Sequence, residues 1–356
     1  MFAQSKFLIH TFLIMTFICS VVGAADDGKM FSANSAILPS VRLAVLPLVN
    51  YCGRAEAVTV FSPLINDYIS RGEFTLIDSG SLDRELRKYR IRSTATIGFE
   101  DAARMAGDLG IDYFMLGSID IFLPDQIPEA AISLRVVDAG DMSILWATST
   151  GASGQDYVGM LGIGRITSME QLARQLTEES LGDFNSRMIY RLAQDPARSV
   201  GPLHALVVFD NLSTDKHAGD IITMTAISDL AANNIRILEP GAALELFRQN
   251  GQFPRGEVDL TLLKQLHERF KVERVITGSV DLFLPAPAGG ETSTPEIELG
   301  GRYLDAATGK VLAAHEVERR GTDSETIFRL GITRSLGKLT RNATHLLLEK
   351  LHVFEK

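Results

Sequence analysis

Apolar and polar positions alternate along this chain in an order that occurs twice. Dense runs of Val, Leu and Phe with little alternation, over residues 41–49 and 203–209, predict strands covered on both faces. Helices are predicted over 58–70 and 220–232, leading to short strands at 74–77 and 235–238. Ser79-Gly80-Ser81 and Pro240-Gly241 start helices that carry Leu82 and Leu86 in one case, Leu244 and Phe247 in the other. Residues 99–109 and 260–270 space apolar positions three and four apart (Ala102, Met105 and Leu109; Leu262, Leu266 and Phe270), the mark of amphipathic helices. Strands are then predicted over 112–122, 130–138 and 144–150, mirrored by 273–283, 296–304 and 311–317. Closing helices are predicted over 168–192 and 324–351, the second with a stripe of Leu336, Leu339, Ala343, Leu346 and Leu347.

The two halves match residue by residue. Gly117-Ser118-Ile119-Asp120-Ile121-Phe122-Leu123-Pro124 returns as Gly278-Ser279-Val280-Asp281-Leu282-Phe283-Leu284-Pro285, and Asn50 returns as Asn211, all at an offset of 161. Beyond the prolines the offset becomes 167, pairing Asp138 with Asp305 and Gly154 with Gly321. The difference is absorbed by an enlarged loop, residues 285–295. We read two tandem copies of one mixed-sheet α/β module, 41–193 and 203–356, joined by a linker at 194–202. Each is long enough to bury a core of its own, and the short linker sets them side by side. In the turns, Asp305-Ala306-Ala307-Thr308-Gly309-Lys310 offers a glycine where a hairpin needs a positive φ, and Asp138-Ala139-Gly140-Asp141 is its counterpart.

The run Ala44-Val45-Leu46-Pro47-Leu48-Val49-Asn50, the strand ending at Asp78, the stretch Leu109-Gly110-Ile111-Asp112-Tyr113-Phe114-Met115-Leu116-Gly117-Ser118 and the hairpin Arg135-Val136-Val137-Asp138-Ala139 resemble the superfamily of TolB amino-terminal domains and curli-secretion CsgG proteins. They are also similar to peptidoglycan-synthase activator lipoproteins, exopolysaccharide export lipoproteins and the middle domain of a flagellar H-ring protein. The second copy keeps Gly278-Ser279 and Asp305-Ala306-Ala307-Thr308-Gly309 but has Val208 where the first has Pro47. The resemblance implies a mixed sheet and a protein that binds other proteins rather than catalysing. No β-propeller follows, so this is not a whole TolB. The loop at 285–295 is too short and polar for a membrane-crossing hairpin. The leader is far shorter than the activators' tether.

Lys6, the apolar stretch from Phe7 to Ile18 and the small residues Val22-Gly23-Ala24 or Gly23-Ala24-Ala25 form an export signal over 1–25, followed by a polar leader, 26–40. A retained anchor is the alternative; Ile18 before Cys19 argues against lipidation there. With the signal removed, Cys52 is the one cysteine and no internal disulfide can form. A formal charge of −9 without a Lys/Arg block excludes nucleic acid as a natural partner.

No residue is assigned to catalysis, cofactor binding or metal binding, and no cofactor is expected. Thr308-Gly309-Lys310 lacks the first glycine of a phosphate loop, which is Leu304 here. Gly159, Gly162 and Gly164 serve a tight approach or a loop rather than a dinucleotide. His204, His217, His267, His315, His345 and His352 are scattered, and His345 with Glu349 reads as a surface pair. Asp120 and Asp281 could form an acidic dyad, but their repeated placement favours a strand-end or hydrogen-bonding role in each module; Trp146 belongs to the sheet. The expectation is a non-enzymatic periplasmic scaffold or accessory factor in building or exporting a surface structure. Its partners are envelope proteins, or itself in a ring or dimer, bound at a strand edge, at the groove between modules or at the loop 285–295. A hydrolase or sugar-binding protein with a nonstandard site is the alternative.

Overall fold

The computed structural model describes residues 41–158, 164–193, 201–252, 258–286, 294–325 and 331–355, which belong to one compact unit from Ser40 to Lys356. The export signal, the leader, most of the linker and of the enlarged loop, and Gly159 and Gly162 lie outside the described residues.

The architecture is α/β, with two six-stranded mixed sheets of one topology. The first orders β3(Thr75–Leu76), β1(Arg42–Val45), β4(Tyr113–Leu123), β5(Glu129–Asp138) and β6(Ile144–Ser153), with β2(Val49–Asn50) also on β4. The second orders β9(Arg236–Leu238), β7(Leu203–Leu206), β10(Val272–Leu284), β11(Glu296–Asp305) and β12(Val311–Arg320), with β8(Asp210–Asn211) on β10. The register repeats too: Gly117 faces Leu134 as Gly278 faces Gly301, and both long hairpins carry a β-bulge whose extra residue is an aspartate, Asp120 or Asp281. Gly154 and Gly321 repeat one close approach, since a Cβ there would stand 1.9 and 2.1 Å from the carbonyl oxygens of Ile166 and Thr333. Gly164 and Gly331, both at positive φ, bear out the reading of a tight approach.

In module one, α1(Ala55–Ser70) and α4(Met169–Leu181) cover one face of the sheet, burying Phe61, Ile65, Leu172 and Leu176 against Met115, Ile119 and Ile132. Helices α2(Ser79–Lys88) and α3(Phe99–Leu109) bring Leu82, Ala102 and Met105 to the core that includes Phe114 on the other face. Asp78 caps α2 by accepting from the Ser81 amide at 2.8 Å. In module two the corresponding pairs are α6(Ala218–Ala232) with α9(Leu336–Lys350), and α7(Pro240–Gln249) with α8(Leu260–Phe270).

The modules share a core instead of lying side by side as separate globules. Helix α6 stands between the sheets, against β5 and β6 of the first and β8, β9 and β10 of the second, and α9 bridges β6 to β11 and β12. Its sequence, AGDIITMTAISDLAA, is apolar nearly all round, as a helix with two walls requires. Ile221, Ile222, Met224, Ile227 and Leu230 are 4% exposed or less, so burying them contributes on the order of 10 kcal/mol, comparable to a whole domain's net stability. One core cluster therefore runs through both modules, and the second belongs to the α1/α4 side of module one.

Three local expectations are corrected. The closing helix of module one is two helices, α4 and α5(Phe184–Ala193), because the turn at Gly182 and Asp183 drops Phe184 onto Trp146 and Phe74, at ring distances of 5.0 and 5.4 Å. Module two's closing helix starts only at Leu336, because Thr333 is still tied to the Gly321 carbonyl and Ser335 is the cap. In the first hairpin the positive φ belongs to Met142, at 61°, not to Gly140; Met142 aligns with Gly309, at 71°.

At one contact the modules meet glycine on glycine: a Cβ on Gly337 of α9 would meet Ala131 Cβ and Gly151 Cα at 3.0 Å. Gly337→Val is expected to destabilise the protein by about 1–3 kcal/mol through overpacking. Gly107→Ala, where a Cβ meets nothing within 4 Å, should instead stabilise by roughly 0.5–1 kcal/mol. Urea midpoints of the two variants against the parent check both.

Candidate functional site

The polar face of the first sheet is where the chain concentrates buried charge. Its strands bring Ser118, Asp120, Ser133, Arg135 and Ser149 to one side, and module two covers them. Arg135 Nε and Nη2 donate to the two carboxylate oxygens of Glu239, each at 2.7 Å; Nη2 also reaches the Ala95 carbonyl at 2.5 Å, and Nη1 faces Met224 Sδ at 3.0 Å. Glu239 begins α7, and its amide donates to the Met142 carbonyl at 2.8 Å, so one residue is held to module one at both ends. Beside it Ser143 forms a bridge with Leu238, covering part of the β9 edge.

Two further carboxylates sit in this seam. Asp120 accepts from Ser118 Oγ at 2.5 Å and Ser133 Oγ at 2.6 Å, and Ser133 leads through Ser149 to Thr225 of α6. Glu129 reaches across modules to cap α9, its Oε1 accepting from Ser335 Oγ and from the amides of Leu336 and Gly337. Burial pushes both carboxyls up to about 7, against hydrogen bonds that favour the ionised form. Tyr51 stacks on His217 at 4.8 Å, and burial raises its phenol.

The same face recurs in module two, where it is open. Arg302 takes the place of Arg135, Ser279 of Ser118, Asp281 of Asp120 and Gly300 of Ser133; Asp281 and Arg302 are exposed, whereas Asp120 and Arg135 are 4% and 3% exposed. Ala131, Ser149 and Gly151, which meet the covering helices, become Glu298, Glu316 and Glu318, all exposed. Gly278, Ser279, Gly300, Arg302, Ala314 and Glu316 are among the residues lining an open hollow of roughly 510 Å³.

Most residues singled out in the sequence are placed apart from one another. Asp120 and Asp281 lie in different sheets as the bulge residues of their own hairpins, so they form no dyad. Cys52 is a free thiol donating to Asn50 Oδ1, raised by burial. Trp146 is buried in the sheet with its Nε1 towards Asp183. Thr308-Gly309-Lys310 is a hairpin turn organised by Asp305. His345 pairs with Asp229 of α6 at 2.9 Å rather than with Glu349. His204, held by Pro202 and Tyr303, is lowered by burial to about 4. His267 binds the Val272 carbonyl, and His315 lies edge-on to His352. Among the described residues no group of three or more His, Cys, Asp or Glu is arranged to hold a metal ion. No described helix is long and apolar enough to cross a membrane. The seam pair Arg135 and Glu239 was not anticipated. Its signal is an arginine inside an apolar strand, repeated at the offset as Arg302.

No family model and no curated protein matches this chain. Solved structures that it resembles include the PelC dodecamer from Paraburkholderia phytofirmans (17% identity, covering 42% of this chain and 89% of that one, TM-score 0.28). Another is lipoprotein GNA1162 from Neisseria meningitidis (18%, 42% and 99%, 0.31). A third is the LpoB C-terminal domain from Salmonella enterica (18%, 32% and 82%, 0.26).

Glu239→Ala leaves the Arg135 charge buried without its carboxylate, so it should cost about 3–5 kcal/mol, while the Arg135→Met/Glu239→Leu pair should recover most of that. Urea unfolding of the single and double variants measures both. Asp120 and Glu129 hold protons in the folded chain up to about pH 7, whereas the unfolded chain releases them in the ordinary carboxylate range near pH 4. Folding therefore takes up protons in that window, and stability falls as pH rises from ~4 to ~7. Asp120→Asn and Glu129→Gln should flatten this fall when midpoints are compared at about pH 5 and pH 7.

Proposed function

We propose that this protein is a non-enzymatic scaffold or accessory factor of the bacterial envelope, exported to the periplasm. There it would bind protein partners during assembly or export of a surface structure such as curli, polysaccharide, a flagellar ring or the cell wall. One observation carries the reading. The sheet face with which module one receives two helices and a buried ion pair from module two is present again in module two, and there it faces solvent. A face whose twin in the same chain is a docking surface has the strand layout for docking. The export pattern at residues 1–25 and the resemblance of the repeated motifs to envelope proteins support the location. The buried acids of the seam are engaged by internal donors, which fits a structural role for them.

A photo-crosslinking residue at Ala314, on the open face, should give adducts with envelope proteins in intact cells, whereas the same residue at Asn66 on the outer side of α1 should not. Equal labelling at both positions, or none at Ala314, would remove the reading.

A further inference from the structure

We infer that the open face of the second sheet receives a lysine- or arginine-bearing helix of another protein, laid across β10, β11 and β12 as α6 is laid across the first sheet, and that it excludes a second copy of this chain. The inference rests on the scaffold reading and supplies the partner's chemistry.

The strand layout comes from the duplication. Ser279, Gly300 and Glu316 stand in one row across the three strands, as Ser118, Ser133 and Ser149 do in the first sheet, where Ser149 meets Thr225 of α6. The row below holds Thr277, Arg302 and Ala314, in the place of Leu116, Arg135 and Ala147. Gly300 leaves the centre of the face without a side chain; a Cβ there would stand 3.0 Å from Ser279 Oγ. That hollow has room for a partner's side chain.

The charge of the face differs from that of its twin. Asp281, Glu296, Glu298, Glu316 and Glu318 share it with two cations, Arg302 and Arg320. Arg320 is paired with Glu318 at 2.7 Å and lies 3.9 Å from Glu296, and Arg302 stands in the row next to Gly300 and Glu316, so five carboxylates face two guanidinium groups. An excess of negative charge on a face of this shape selects a basic partner and sets its approach rate.

The same charges exclude self-association by the intramolecular route. In a second copy, the helices corresponding to α6 and α9 are α1 and α4. Pro63 and Asp67 of α1 stand where α6 has Met224 and Ser228, and Glu170 of α4 stands where α9 has Gly337. Gly337 touches Ala131 and Gly151, whose counterparts are Glu298 and Glu318. Stacking a further copy would bring three carboxylates to one contact.

Two 18-residue helical peptides, one of alanine and lysine and one of alanine and glutamate, titrated by fluorescence anisotropy against the full exported chain, test this. The lysine peptide should bind and the glutamate peptide should not, and binding should weaken as salt rises. Glu298→Gln/Glu316→Gln/Glu318→Gln should weaken binding of the lysine peptide at least tenfold with an unchanged near-UV spectrum. Glu56→Gln/Asp67→Gln/Glu170→Gln, on α1 and α4, should leave it unchanged. Equal weakening by both variants, or no binding of the lysine peptide, would overturn the proposal, as would self-association in sedimentation velocity that the first variant abolishes. If the peptide fails while adducts still form at Ala314, the helix chemistry falls and the scaffold reading stands; if both fail, both fall.

Discussion

Helix α6 has to satisfy two sheets at once, and the arrangement of the rest of the chain follows from that. A helix with one wall needs one apolar stripe and can leave the other side polar, as α1 does with Glu56, Thr59, Asn66 and Asp67. A helix with two walls has little room for charge between them. Asp220 and Asp229 lie near its two ends, against His217 and His345, and between the walls the polar groups are small and locally satisfied: Thr223 and Thr225 hydroxyls donate back to the carbonyls of Gly219 and Ile221. Once α6 occupies that position, the first sheet's polar face is sealed, and every charge on it needs an internal partner. Arg135 takes Glu239, Asp120 takes two serine hydroxyls, and Glu129 takes the start of α9.

Duplication thus produced two copies with different duties. In the first, the outer sheet face has become interior, with serines, alanine and glycine where the covering helices come close. In the second, the same strand positions share the register and carry glutamates. The strand register and the bulge of this second face are those of the first, whereas its glycine and its charges are its own.

Much of this architecture was legible in the residues. The offset between halves predicted one topology used twice, and the strands, the hairpin at Asp305 and the amphipathic helices fall close to where the periodicity put them. The losses have physical causes. The break between α4 and α5 depends on Phe184 finding Trp146, a tertiary contact with no local signature. The late start of α9 depends on a backbone bond from Thr333 to Gly321. Met142 at positive φ runs against the usual preference for glycine, which pointed to Gly140 instead. The ion pair between Arg135 and Glu239 joins residues 104 positions apart. Its hint, one arginine in the run Glu129-Ala130-Ala131-Ile132-Ser133-Leu134-Arg135, reads as an exposed strand position until a second module is placed over it. The apolarity of α6 on nearly all its sides went unread in the sequence, where each module was given a core of its own.

That apolarity also ties the halves together in descent and in their order along the chain. A gene that lost the first copy would encode a second module with a bare greasy helix, prone to aggregate; a gene that lost the second would leave Arg135 and Asp120 facing water without purpose. Along the chain all the strands of the amino-terminal sheet precede α6, so the wall on which that helix settles comes before it in sequence. The order of the two copies along the chain is in this sense part of the structure.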